Sequence, residues 1–88
     1  MSAFSTKLAA VLAERAMKQI DLVRAMESNG DSISFQYVHF LVTGQRIPPP
    51  QLVEKICKSL KLSRLETTKF HVAAAVDSGY RIEGNARV

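Results

Sequence analysis

The side chains with the most potential for chemistry lie close together, between residues 34 and 46. Gln36 offers an amide that donates and accepts hydrogen bonds, His39 offers an imidazole, and Thr43 offers a hydroxyl. Three of the six aromatic side chains of the chain lie among them: Phe35, Tyr37 and Phe40. Together these groups can form hydrogen bonds and apolar contacts with a bound partner, so this segment is a candidate recognition surface.

The sequence contains no pattern typical of catalysis or metal binding. Serine, histidine and aspartate occur, but no spacing pairs them, and there is no Gly-rich phosphate loop or nucleophile elbow. Cys57, His39 and His71 have no short ligand spacing, and a zinc site needs further ligands. We therefore expect no enzyme, no metal and no cofactor, and we expect Cys57 to be a small core residue.

Length and composition restrict the class of protein. The 88 residues suffice for one domain, and a hydrophobic fraction of 47% is typical of a globular chain. We expect a single domain over residues 1–80 and a flexible tail over 81–88. No apolar run approaches the ~18 residues of a membrane span, and the N-terminus lacks the features of a signal peptide. The single cysteine fits a reducing compartment, so we expect a cytoplasmic protein without a membrane segment.

The positive charge is unevenly distributed. The formal net charge is +4, and all of this excess lies in residues 45–88, whereas residues 1–44 carry equal numbers of acidic and basic side chains. Such a balance weakly favours a polyanionic partner.

The hydrophobic pattern predicts an all-α fold, a compact bundle of about five short helices. Strands are not expected, because no stretch alternates apolar and polar residues for long without also fitting a helix. The predicted helices are Ser5–Ala16, one from about Lys18 that stops within Glu27–Asp31, Phe35–Thr43, Gln51–Leu60, and one that follows Ser63 and ends before Gly79.

Local signals mark the ends of these helices. Ser34 has the side chain of a helix N-cap, and Gly44 is the residue type that ends a helix in the left-handed conformation. Ser63 with Glu66 three residues later forms a capping-box pattern. Pro48–Pro50 is an extended break that leads into the fourth helix.

Two blocks of residues carry a family resemblance. Met17-Lys18-Gln19 followed by Leu22-Val23 opens the second helix. Ile33-Ser34-x-x-x-Val38 followed by Gly44-Gln45-Arg46-x-Pro48 spans the third helix and the loop after it. In the order and spacing of these blocks, the chain resembles the Cro/CI-type helix-turn-helix repressors of the xenobiotic-response-element class over about Phe4–Leu62. The resemblance implies a lambda-repressor-like domain that binds double-stranded DNA in a sequence-specific way.

The resemblance also implies which residues would contact DNA. The third helix would enter the major groove and the second would brace it. The residues implied at base edges are Ser34, Phe35, Gln36, Tyr37, His39, Phe40 and Thr43. The residues implied at phosphates are Lys18, Gln19, Gln45 and Arg46. By the same alignment, Ile33, Val38 and Leu41 belong to the core.

The chain departs from the family pattern in its turn and in one residue pair. Glu27–Asp31 stand where family members have a tight turn, so we expect a longer second helix or a longer loop. Leu12 and Val42 occupy positions where family members often carry an Arg–Glu pair. Replacement of both partners by apolar groups is compatible with the same packing.

The fifth helix is the best candidate for self-association. Its apolar residues Leu65, Val72 and Val76, with Ala75, fall on one side and are expected to form the contact of a homodimer. A homodimer of this kind would bind a two-fold symmetric operator, most often as a repressor, with a regulatory protein as a further possible partner.

A second interpretation is a protein-interaction module, an antirepressor or adaptor, on the same scaffold. The aromatic third helix would then be the contact surface for another protein. The insertion at Glu27–Asp31 and the zero net charge of residues 1–44 favour this interpretation. Alternatively, Phe35 packs over the insertion, since it shares a helical stripe with Val38 and Val42. Non-specific coating of DNA is a third interpretation.

Overall fold

The computed structural model describes residues 2–79, which contain five α-helices. They are α1 (Ala3–Glu14), α2 (Gln19–Ser28), α3 (Phe35–Thr43), α4 (Pro50–Ser59) and α5 (Arg64–Asp77). The predicted all-α fold of five short helices is therefore confirmed, and within this part of the chain no strand occurs. The segment 81–88, for which a flexible tail is expected, lies outside the described residues.

Helix α1 begins and ends earlier than the sequence predicts. Its N-cap is Ser2, whose Oγ accepts a 3.0 Å hydrogen bond from the Ser5 N–H, while the Ser5 Oγ accepts one of 3.1 Å from the Ser2 N–H. The expected start at Ser5 is wrong because this serine lies within the first turn, where it pairs with Ser2, and is fully buried. The helix does not reach Ala16, since that residue adopts a left-handed φ of 54°.

The connection between α2 and α3 has both features expected from the insertion at Glu27–Asp31, a longer second helix and a longer loop. Helix α2 extends through Ser28, and a turn at Asn29 and Gly30 follows, with Gly30 at a φ of +83°. The Asn29 side-chain amide donates to the Ser59 Oγ at 3.1 Å, and Asp31 lies 3.6 Å from the Lys55 Nζ. These contacts attach the connection to α4 and fix its course.

Helix α3 has the boundaries that its end residues predict. The Ser34 Oγ accepts a 3.0 Å hydrogen bond from the Tyr37 N–H, and Gly44 ends the helix with a φ of +83°. Space is also tight here, because a Cβ at Gly44 would lie 3.3 Å from the Ser2 nitrogen. The end of α3 therefore lies against the start of α1.

The later helix ends agree with their sequence signals. Helix α4 starts at Pro50, in the first helical position, where its missing N–H breaks no hydrogen bond. The Ser63 Oγ caps α5 by accepting a 3.2 Å hydrogen bond from the Glu66 N–H.

The main helix contacts form a closed ring around the core. Along this ring α1 contacts α3, α3 contacts α2, α2 contacts α4, α4 contacts α5, and α5 returns to α1. At the junction of α1 and α5, the Phe4 and Phe70 rings pack edge to face with centroids 5.5 Å apart. The residues of the expected core, Val38, Leu41 and Cys57, are buried, and Ile33 packs against the core from its edge. Leu12 is buried and Val42 partly so, in agreement with their apolar types.

The two ends of the described chain are joined by hydrogen bonds. The Asp77 carboxylate accepts from the backbone N–H groups of Ala3 at 2.8 Å and Phe4 at 2.7 Å. Since the first N–H groups of a helix have no partner within it, a carboxylate at this position both satisfies them and favours the helix dipole. The last turn of α5 therefore holds the first turn of α1.

Candidate nucleic-acid interface

The structure brings the start of α2 next to the outer face of α3. The His39 Nδ1 lies 3.3 Å from the Gln19 Oε1, a hydrogen bond in the tautomer that carries its proton on Nδ1. Because α2 and α3 also pack against each other, the residues expected at phosphates and at base edges share one surface. We call this surface the α2–α3 surface. It consists of Lys18 and Gln19 at the start of α2 and of residues 34–46.

Helix α3 separates its residues into an inner and an outer face. Val38 and Leu41 are fully buried. The exposed members of the expected recognition set are Ser34, Phe35, Gln36, His39 and Thr43. The helix thus presents an amide, an imidazole, a hydroxyl and a phenyl ring to its surroundings.

Tyr37 and Phe40 are less available than the sequence predicts. Both are half-buried, and Tyr37 packs against the core, so its expected outward direction is wrong in part. The reason is helical spacing: Tyr37 lies one turn before Leu41, on the side of the helix that meets the core. Phe40 remains at the edge of the outer face.

The loop after α3 folds back onto the end of this helix. The Gln45 N–H donates to the Phe40 carbonyl oxygen at 2.9 Å, and the Gln45 side-chain amide donates to the Thr43 Oγ at 3.0 Å. The Arg46 guanidinium lies 5.9 Å from the centroid of the Phe40 ring, within the range of a cation–π contact. Loop and helix therefore form one continuous surface.

Arg46 borders a shallow depression on α3. The depression has a volume of about 270 Å³ and is lined by Ser34, Gln36, Tyr37, Phe40 and Arg46. Sequence reasoning missed this arrangement, because the stacking of Arg46 on Phe40 depends on the turn at Gly44. The only sequence signal for the contact between Arg46 and Phe40 was the Gly44-Gln45 dipeptide before the arginine.

The charges of the α2–α3 surface lie at its borders. Helix α3 carries no lysine, arginine, aspartate or glutamate, whereas two exposed cations lie next to residues that contact it: Arg46 in the loop after α3, and Lys18 before Gln19 at the start of α2. Asp21 reduces the positive field at the start of α2, since its carboxylate accepts a 2.8 Å hydrogen bond from the Lys18 N–H. The centre of the surface therefore carries no lysine, arginine or carboxylate side chain.

The residues expected at a dimer contact are exposed on α5. Leu65, Val72 and Val76 have exposed fractions of 65%, 58% and 52%. The inner face of α5 consists of Thr67, Phe70, Ala73 and Ala74. The apolar stripe that the sequence predicts is thus the outer face of this helix.

No cluster of at least three metal-binding side chains occurs within residues 2–79. Burial raises the pKa of the Cys57 thiol, and the Glu54 and Glu66 carboxylates raise it further. A hydrogen bond with Thr67 lowers this pKa in part. The thiol is therefore protonated at neutral pH and a poor nucleophile. A polar contact near it, between the His71 Nε2 and the Glu54 Oε2 at 2.5 Å, connects α5 with α4.

Two further observations bear on the class of protein. None of the helices in the described range has both the length and the apolar character needed to cross a membrane. Comparison of the chain with protein-family models, curated proteins and solved structures gives no match.

Proposed function

We propose that the protein is a sequence-specific regulator of transcription that binds double-stranded DNA, a repressor acting as a homodimer in the cytoplasm. The observation that carries this proposal is the uncharged, hydrogen-bonding outer face of α3 with the cations Lys18 and Arg46 at its borders. Contacts to phosphates position a protein on DNA, whereas contacts to base edges select the sequence. The α2–α3 surface has cations suited to phosphates and polar side chains on α3 suited to base edges.

In this proposal α2 and α3 act as a helix-turn-helix unit. An α-helix fits the major groove, which is about 12 Å wide, and the exposed residues of α3 would face the base edges. Gln36 has the donor and acceptor needed for a paired hydrogen bond with adenine. His39 and Thr43, one turn apart, would reach further bases or a phosphate. Lys18 and Arg46 would contact phosphates on either side.

The homodimer would form through the outer face of α5. Leu65 and Val72 are large apolar side chains, both more than half exposed and two helical turns apart. Burial of such side chains on association stabilises a dimer by at most about 1.5–3 kcal/mol each, because part of their surface is already covered. A two-fold symmetric dimer would present two copies of α3 to successive major grooves, and hence recognise a two-fold symmetric operator.

The test is selection of binding sequences from a random duplex library at near-physiological salt. We expect an enriched motif with two-fold symmetry whose half-site spacing reports the geometry of the dimer. Binding without an enriched motif, lost as salt rises, would reduce the function to non-specific electrostatic attachment. Retention of no DNA would contradict the proposal altogether.

The second candidate function is a protein-interaction module. The exposed ring of Phe35 and the absence of lysine and arginine from α3 favour it. An adaptor would use the same α2–α3 surface to bind an apolar patch on another protein. DNA binding that weakens steeply with salt decides against this candidate, since only a polyanion releases counterions on binding.

A further inference from the structure

Phe35 has an unusual place on the α2–α3 surface. Of the large hydrophobic side chains within residues 2–46, Phe35 alone is exposed, with an exposed fraction of 51%. It is not among the partly buried residues that pack against the core. A phenyl ring in water is an unfavourable arrangement that a bound apolar group would relieve.

The start of α3 fixes the backbone from which this ring projects. Phe35 is the first residue of the helix, directly after the N-cap Ser34, whose Oγ accepts the Tyr37 N–H. A phenyl side chain has only two rotatable bonds, so little conformational entropy is lost when it is fixed by a contact. His39 follows Phe35 by one helical turn and contacts Gln19. The ring therefore stands on the side of α3 where the two helices meet.

The chemistry of the ring limits what it can recognise in a DNA groove. It neither donates nor accepts a conventional hydrogen bond, and it carries no charge for a phosphate. In the major groove thymine alone among the four bases presents a methyl group, at C5. Cytosine at the same position carries only a hydrogen at C5, so the ring would lose the apolar contact with a methyl group.

We propose that Phe35 selects thymine by contact with its C5 methyl group, so that each half-site of the operator contains a thymine beside the base read by Gln36. This inference rests on the proposed DNA-binding function and adds a specificity-determining residue to it. Removal of the methyl group weakens binding about fourfold in one half-site, as expected from the transfer of one buried methyl group. Removal from both half-sites weakens binding about 16-fold, because a homodimer has two copies of the ring.

The test uses the full chain and the duplex obtained by selection. Each thymine is replaced in turn by deoxyuridine, which lacks only the methyl group, and binding is measured by fluorescence anisotropy. We expect one symmetry-related thymine pair at which wild type loses affinity while Phe35→Ala, already weaker, shows no further loss. Phe35→Leu keeps an apolar contact and retains part of the sensitivity. Ile47→Ala, which removes an exposed apolar side chain outside α3, should leave the wild-type pattern unchanged.

The outcomes separate this inference from the proposed function. Tight, sequence-specific binding with identical deoxyuridine profiles for wild type and Phe35→Ala would overturn the role of Phe35 and leave the regulator intact. Selection of no DNA would overturn both. In a further experiment, a duplex with cytosine at the sensitive position should bind weakly. Replacement of this cytosine by 5-methylcytosine should raise the affinity of wild type about fourfold and leave that of Phe35→Ala unchanged.

Discussion

The carboxylate of Asp77, at the end of α5, accepts a 2.7 Å hydrogen bond from the backbone N–H of Phe4, at the start of α1. The second carboxylate oxygen accepts from Ala3, so both oxygens are used across a separation of more than seventy residues. Phe4 in turn packs its ring against Phe70 in the core. One side chain thus connects the capping of α1 with the central aromatic contact of the fold.

Removal of this carboxylate should weaken the whole fold. Asp77→Ala leaves two N–H groups at the start of α1 without their charged acceptor, which costs about 1–3 kcal/mol of unfolding free energy. Urea denaturation followed by circular dichroism measures the change. Ser78→Ala is the matched control, because its hydroxyl donates to the carbonyl oxygen of the nearby Ala75 and not to α1. Equal urea midpoints for Asp77→Ala and wild type would contradict a stabilising role.

The two glycines that flank α3 offer a direct comparison of backbone strain and crowding. Gly30 and Gly44 share a φ of +83°, but a Cβ at Gly30 meets nothing within 4 Å, whereas one at Gly44 lies 3.2–3.3 Å from Ser5 and Ser2. Gly30→Ala should therefore cost only the left-handed conformation, about 1–2 kcal/mol. Gly44→Ala should cost more. Thermal unfolding of the two variants tests this order. Equal losses of stability would show that the start of α1 shifts without cost to make room for the added Cβ.

The buried thiol predicts a dependence of stability on alkaline pH. Since burial raises the pKa of Cys57 above its ordinary value of 9.0, the folded state favours the protonated thiol. This contribution is complete below pH 9 and is lost as the pH rises through the higher pKa of the folded protein. Urea denaturation between pH 7 and 10 should show wild type losing more stability than Cys57→Ala. Parallel pH profiles for the two proteins would contradict the prediction.

Gln36 and Arg46 should affect DNA binding in different ways. Gln36→Ala should cost about 1–3 kcal/mol on the selected operator and relax the preference at one base pair. Arg46→Ala should weaken binding to all sequences alike and flatten the dependence of affinity on salt by about one unit of slope. Titrations of operator and scrambled duplexes at several salt concentrations measure both effects. Equal weakening of the two duplexes by Gln36→Ala would show that Gln36 does not read a base.

Self-association should depend on the outer face of α5. Wild type at micromolar concentration should have a mass of about twice the 9.7 kDa of one chain in analytical ultracentrifugation. Val72→Glu places a charge in the proposed contact and should weaken the dimer at least about tenfold. Gln51→Glu, which adds a charge at an exposed position on α4, should not. A monomeric wild type, or a dimer that tolerates Val72→Glu, would exclude this face.

The sequence predicts the parts of the fold that depend on local chemistry. The bounds of α3 follow from Ser34 and Gly44, because capping and the left-handed turn involve only neighbouring residues. The start of α1 does not follow, since Ser2 and Ser5 both have the side chain of an N-cap and form a reciprocal pair. Residue type alone could not rank them.

Periodicity was less informative where apolar residues occur on several sides of a helix. On α5 the stripe with Leu65 and Val72 is as regular as the face with Phe70, yet only the face with Phe70 is buried. The choice depends on α1, whose Phe4 receives that ring. The contact between Gln19 and His39 was likewise beyond sequence reasoning, because it requires the packing angle of α2 and α3.

The closed ring of helix contacts has a consequence for the timing of folding during synthesis. Helix α5 packs against α1 and so completes the ring of helix contacts. The ring therefore cannot form before the residues through Asp77 have left the ribosome. Until then Phe4 lacks its aromatic partner, and α1, which contacts the end of α3 at Gly44, lacks the carboxylate that accepts its first N–H groups. A nascent chain would therefore expose α3 without its full support, and its recognition surface would mature only after translation has passed α5.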